Sequence, residues 1–160
     1  MDIRNFMKIC NTVYNYNYNP NKLTIKKVND NIPTSKFLYI DIVKDLNKYI
    51  YKSIYKIHNI SIHYYHKKHT ISRNQYADLI VMLNTARLVY KLFKSKCSIE
   101  IHYFDTKYFK YLPSVTSNEI LGSKHINSGM TVFEKTRKIY IWRKTEHIKV
   151  LIHEILHACG

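Results

Sequence analysis

The chain has 160 residues, 26 of them basic and 11 acidic, for a formal charge of +15, with 46% hydrophobic and 23% charged residues. That length holds one domain or one lobe of a larger one, and the apolar fraction excludes wholesale disorder. The longest uninterrupted apolar stretch, Leu79 to Leu83, is far below the roughly 18 residues of a membrane-spanning helix, and Met1 to Val13 lacks the layout of a secretory signal, so an intracellular chain with no membrane partner is expected.

Cys10, Cys97 and Cys159 are an odd set without paired spacing, which fits reduced thiols better than a disulfide framework and offers no cysteine metal knuckle. The charge invites weak nucleic-acid binding, because clustered cations release counterions from phosphate backbones. Against this, Ile, Lys, Asn and Tyr make up 72 of the 160 residues and share A/T-rich codons, and Lys outnumbers Arg 21 to 5. Arginine is the residue whose planar fork suits base and phosphate recognition, so much of the charge follows from codon composition.

Residues 1–33 carry a Tyr/Asn alternation from Tyr14 to Asn19 and then a Lys-rich stretch, and are expected to form a partly flexible or strand-forming extension. Thr34 or Ser35 is placed to cap a helix to about Ile57, since Leu38, Ile42, Leu46, Ile50 and Ile54 keep a helical rhythm. Ile60, Ile62 and Tyr64 alternate with Ser61, His63 and Tyr65 as a strand does. Ser72 with Gln75 three residues on forms a capping-box pattern and opens a helix to about Ser95, with Leu79, Met82, Leu83, Ala86, Val89 and Phe93 on its apolar face. Cys97, Ile99, Ile101 and Tyr103 alternate as a half-buried strand. An irregular stretch from Asp105 to Gly129 follows, then a hairpin of Met130 to Phe133 and Lys138 to Trp142, and a last helix capped by Thr145. The order predicts an α+β fold, with residues 34–160 as its lobe.

The last helix contains His153-Glu154-Ile155-Leu156-His157. Residues four apart lie roughly 40° apart around a helix and about 6 Å along it, so both imidazoles can reach one zinc ion from the same face. Glu154 is displaced by about 100° from His153, beside the metal, where a carboxylate can take the proton from a water acidified by zinc. Five letters alone arise by chance about once in 70 chains of this composition, so the surroundings matter. Ile148, Leu151, Ile155 and Ala158 lie opposite the histidines while Ile152, Leu156 and Cys159 flank them, which predicts a helix buried between two layers.

The run from Val150 to Cys159 resembles the extended signature of the zincin metallopeptidases, in which uncharged residues surround HExxH. The resemblance implies a zincin-like N-terminal lobe: a backing helix (Ser72 to Ser95), a small twisted sheet with a hairpin (Cys97 to Phe104, Met130 to Trp142) and an active-site helix (Thr145 to Gly160). It implies a peptidase acting on peptide or protein substrates, with zinc held by His153 and His157, Glu154 as general base and the hairpin edge binding substrate as an added strand. Zincins take a third ligand from beyond this helix, so the sequence looks truncated and is expected to be inactive alone. His153-Glu154-x-x-His157-x-x-Gly160 matches the start of the metzincin pattern, whereas a gluzincin would supply a later glutamate; Gly160 is also an ordinary residue after a helix end. Ser128-Gly129-Met130 loosely resembles a strand motif of gluzincin aminopeptidases, with Thr131 and Val132 in place of its acidic and amide residues. The composition resembles that of large DNA viruses and other A/T-rich genomes.

Plainer readings stand beside these. The two histidines could be core residues with hydrogen-bond partners. Glu146 is a first-turn acid favoured by the helix dipole or an outer carboxylate orienting an imidazole. Lys149 belongs to the cleft rim or the core edge. His58, His63, His66 and His69 read as a solvated loop rather than a second metal site, and Asn127-Ser128-Gly129 as either a turn or part of a substrate cleft. The alternative to the peptidase is a non-catalytic basic protein, structural or nucleic-acid-binding, such as a virion component.

Overall fold

A computed structural model describes residues 2–29, 32, 35, 38–110, 113–120, 122, 125 and 127–160. Among them the chain forms a mixed α+β fold of four helices and one six-stranded mixed sheet. In chain order the elements are α1 (Ile3–Tyr14), β1 (Thr24–Lys27), α2 (Ile40–Leu46), β2 (Tyr51–Ile57), β3 (Ile60–His66), α3 (Arg73–Leu92), β4 (Ile99–Phe104), β5 (Gly129–Val132), β6 (Arg137–Ile141) and α4 (His147–Cys159). No helix among the described residues is long and apolar enough to cross a membrane.

The strands run in the order β1-β2-β3-β4-β6-β5, with β3, β4 and β6 mutually parallel and the outer pairings antiparallel. Parallel neighbours need a long crossover, which α3 provides between β3 and β4. Side chains alternate along each strand, so the register lines up Tyr55, Ile62, Ile101 and Ile139 across four strands on one face. That row lies in the main core with Leu79, Met82 and Leu83 of α3 and Leu151 and Ile155 of α4. Burying each such side chain stabilises the fold by about 1.5–3 kcal/mol before entropy is counted. On the opposite face Tyr65, Phe104, Met130, Tyr140 and Trp142 pack with Leu38, Ile42 and Leu46 from α2 and the turn before it.

The capping box at Ser72 is formed in full: the Gln75 N–H donates to the Ser72 hydroxyl (3.2 Å), and the Ser72 N–H donates to Gln75 Oε1 (2.9 Å). Three elements differ from expectation. Residues 3–14, read as strand or flexible chain, are helical, because Ile3, Phe6, Cys10 and Val13 recur at helical spacing and Asp2 caps the first turn. The helix expected up to Ile57 stops at Leu46, and residues 51–57 form β2 instead. Their aromatic and β-branched residues suit a pleated sheet, and a two-residue turn with His58 at φ 51° folds β2 onto β3. Thr34 lies outside the described residues. Thr145 does not cap α4: it sits in a short 3-10 turn, and the N-cap position falls on Glu146.

Candidate metal centre and cleft

α4 packs its Leu151, Ile155 and Ala158 face into the main core, against α3 and the β5–β6 hairpin. Its other face is open. His153 and His157 are exposed, and so are their flanking residues Ile152 (38%) and Leu156 (40%). The expectation of burial between two layers is therefore corrected: among the described residues no second layer covers the histidine face, which leaves both imidazoles in contact with solvent.

The i, i+4 spacing brings the two rings together. Their Nε2 atoms lie 3.0 Å apart and their centroids 4.6 Å apart, edge to face. Glu154, one residue on, turns toward the sheet and is largely buried. The Thr131 hydroxyl of β5 donates to its Oε2 (2.6 Å) and reaches its carbonyl oxygen at 3.3 Å. Strand alternation puts Gly129 and Thr131 on the face that α4 covers, and Gly129 makes the approach possible. A Cβ at that position would meet Val150 Cγ1 at 2.6 Å, the Tyr140 carbonyl oxygen at 3.0 Å and Glu154 Cγ at 3.4 Å.

Between α4 and the segment leading into β5 lies a cleft of about 250 Å³, lined among others by Lys110, Asn127, Ser128, Gly129, His153 and Glu154. The Asn127-Ser128-Gly129 stretch thus belongs to the cleft, and Lys149 lies on its wall. Glu146 accepts from the Ser128 hydroxyl and pairs with Lys110 at 3.0 Å. Burial works to raise its pKa, but the Ser128 and Lys110 hydrogen bonds and the positive charges of Lys110 and Arg143 outweigh it and hold the carboxyl below its ordinary value. Its partners are therefore a hydroxyl and an ammonium group that line the same cleft.

A second polar cluster holds the first turn of α4. His147 donates from Nδ1 to the Lys144 carbonyl, and its Nε2 faces Asp78 Oδ1 of α3 at 3.1 Å. The Tyr64 hydroxyl donates to Asp78 and Asp105, and Lys144 pairs with Asp105 at 3.1 Å. Burial pushes the Tyr64 and Tyr103 hydroxyls far above the ordinary tyrosine value, so both stay protonated.

The histidines of the His58 to His69 stretch are dispersed. His66 ends β3 and is buried against the Ser53 hydroxyl at 2.8 Å, not placed in a solvated turn, because it is the residue of β3 that pairs with Tyr51. His63 packs on His102 with ring centroids 4.7 Å apart. Among the described residues no group of three His, Cys, Asp or Glu side chains is placed to hold a metal ion; on α4 His153 and His157 stand as a pair, with their Nε2 atoms within hydrogen-bonding distance. Sequence spacing picked out His153, Glu154 and His157; the structure brings the two imidazoles together and turns Glu154 toward β5, where spacing missed Thr131, as it missed the Asp78–His147 contact. The alternation of β5 was the available signal for Thr131; Asp78 lies 69 residues from His147 and left no local trace. The chain matches no protein-family model, no curated protein and no solved structure.

Proposed function

We propose that the chain carries the metal-binding helix of a zinc-dependent peptidase of zincin type, with α3 as backing helix and α4 as active-site helix. The observation that carries this reading is the 3.0 Å separation of the His153 and His157 Nε2 atoms on the open face of α4. Two nitrogens each about 2.0–2.1 Å from one tetrahedral zinc stand about 3.3 Å apart, so a shift of a few tenths of an ångström fits them to the ion. When bound, zinc supplies a Lewis acid that makes water a competent nucleophile near neutral pH. Glu154 takes the proton of the attacking water and passes it to the leaving amine. Thr131 fixes that carboxylate through Oε2, which leaves Oε1 for the proton. A peptide substrate adds to β5, the terminal strand of the sheet, and presents its scissile bond to the cleft.

Two protein ligands hold zinc weakly, so low affinity and little hydrolysis are expected unless a third ligand is supplied. Zinc titration of the chain tests the reading. Changing both His153 and His157 to alanine lowers zinc affinity at least about tenfold, whereas Glu154→Gln leaves it intact and removes any peptide hydrolysis the loaded protein has. Equal zinc binding by the double variant overturns the reading and leaves the non-catalytic basic protein in its place.

A further inference from the structure

β3 and β4 are parallel neighbours and α3 carries the chain from one to the other, so the carboxyl ends of both strands and the start of α3 lie at the same end of the sheet. Beside parallel strands that end is where small ligands settle, because the connecting loops leave a crevice there. An open cavity of about 610 Å³ occupies it, within the range of about 300–1,000 Å³ typical of small-molecule sites. Lys67 and Lys68 line it just after β3, Asp105 and Lys107 just after β4, and Ser72 and Gln75 at the start of α3. Its charges do not cancel. Asp45, also in the lining, pairs with Lys48 at 3.0 Å and Asp105 pairs with Lys144 at 3.1 Å, and neither of those lysines lines the cavity. Lys67, Lys68 and Lys107 are exposed, and among the described residues none of the three is paired with a carboxylate. The walls that carry them are tied to the sheet. Buried His66 lies 2.8 Å from the Ser53 hydroxyl through Nε2 and donates from Nδ1 to the Lys68 carbonyl, while buried Tyr49 donates its hydroxyl to the Asp105 carbonyl at 2.8 Å and carries the Lys67 ammonium 4.9 Å from its ring centre. The helix start is not the receptor, because the Gln75 N–H is spent on the Ser72 hydroxyl in the capping box.

We infer that this cavity is a binding site for a small organic diphosphate of the nucleoside diphosphate class, with the phosphates held by Lys67, Lys68 and Lys107 and the organic part lying against Tyr49 and Ile71. Lysine ammonium groups bind phosphate as point charges, and a diphosphate ester carries about as many negative charges as the cavity has unpaired lysines. A bare phosphate would leave most of the volume unfilled, whereas an organic group covers the apolar part of the lining and adds burial to the charge contacts. The cavity shares no lining residue with the cleft beside α4 and requires neither zinc nor hydrolysis, so the site goes beyond the function proposed above and stands independently of it.

The test is isothermal titration calorimetry of the full chain, freed of metal by a chelator, at about 0.15 M salt so that diffuse attraction to a basic protein is screened. ADP is expected to bind saturably with a dissociation constant below about 1 mM, pyrophosphate to compete with it but more weakly, and uncharged adenosine to bind at least about tenfold more weakly than ADP. Lys68→Ala combined with Lys107→Ala keeps the Lys67–Tyr49 contact and is expected to lower ADP affinity at least about tenfold. Lys56→Ala combined with Lys96→Ala removes the same charge from exposed positions at the opposite end of the β3–α3–β4 unit, and is expected to leave affinity within about twofold. Circular dichroism of both double variants checks that each keeps the wild-type fold. No saturable ADP binding up to about 1 mM, pyrophosphate or adenosine binding as tightly as ADP, or an equal loss in the two double variants overturns the inference.

Discussion

Gly129 governs how closely α4 approaches the hairpin. With Val150 Cγ1 at 2.6 Å and the Tyr140 carbonyl at 3.0 Å from the position of its absent Cβ, even a methyl group must displace either the helix or the backbone of β6. Gly129→Ala is expected to cost about 1–3 kcal/mol in urea unfolding, the usual range for an overpacked contact. The same shift would lengthen the 2.6 Å contact between Thr131 and Glu154, so any hydrolytic activity falls together with stability. Sequence reading found the imidazole pair at this scale because i, i+4 geometry is local to one helix. It did not find the carboxylate's hydroxyl partner, because that contact joins two elements 23 residues apart.

The clasp between α3 and α4 depends on charge. Asp78, His147 and Lys144 face one another, with the hydroxyl of Tyr64, the ring of Tyr103 and the carboxylate of Asp105 around them. Burial works to lower the pKa of His147, but hydrogen bonds to Asp78 and to the Lys144 carbonyl outweigh it and raise the value above normal. Burial likewise opposes ionisation of Asp78, yet the His147 hydrogen bond and the charges of His147 and Lys144 hold its pKa below normal. The histidine's contribution to stability is complete below about pH 6.5 and is lost as pH rises through its elevated native value. The aspartate's contribution is complete above about pH 3.9 and is lost as pH falls through its depressed native value. Urea unfolding from pH 5 to 9 should therefore show the clasp weakening above about pH 6.5, and Asp78→Asn should flatten that part of the profile. A variant with the wild-type slope would place the pH dependence elsewhere. Elements with local signals, such as the capped α3 and the alternating β3 and β4, were legible from sequence. β2 was not, because its Ile50–Ile54 spacing satisfied a helical rhythm while its pairing partner settled the outcome.

At the scale of the molecule, Arg87 joins the N-terminal segment to the rest. Its buried guanidinium donates to the Val13 carbonyl (3.4 Å) and the Tyr18 hydroxyl (3.1 Å) and lies 4.3 Å from the centre of the Tyr16 ring. Arg87→Ala removes these contacts and the packing of the buried guanidinium on the tyrosine rings, a loss of about 2–4 kcal/mol. Limited proteolysis should then cut the Tyr/Asn tract early, whereas wild-type protein resists there. From composition that tract reads as part of a partly flexible or strand-forming extension, but alternation places Tyr16 and Tyr18 on one side, where their rings meet edge to face and Tyr18 meets Tyr55 in the same way. Only the fold supplies the cation that fastens them.

The two margins of the sheet are unlike. β1 ends it on one side with Lys26 and Lys27, charges that discourage a second copy from docking there, while β5 ends it on the other with Gly129-Met130-Thr131-Val132, four uncharged residues. Fibril growth by strand pairing needs a receptive margin at both ends of every unit. Strand addition meets two lysines at β1 and no charge at β5, so among the described residues the sheet offers a receptive margin on one side rather than on both.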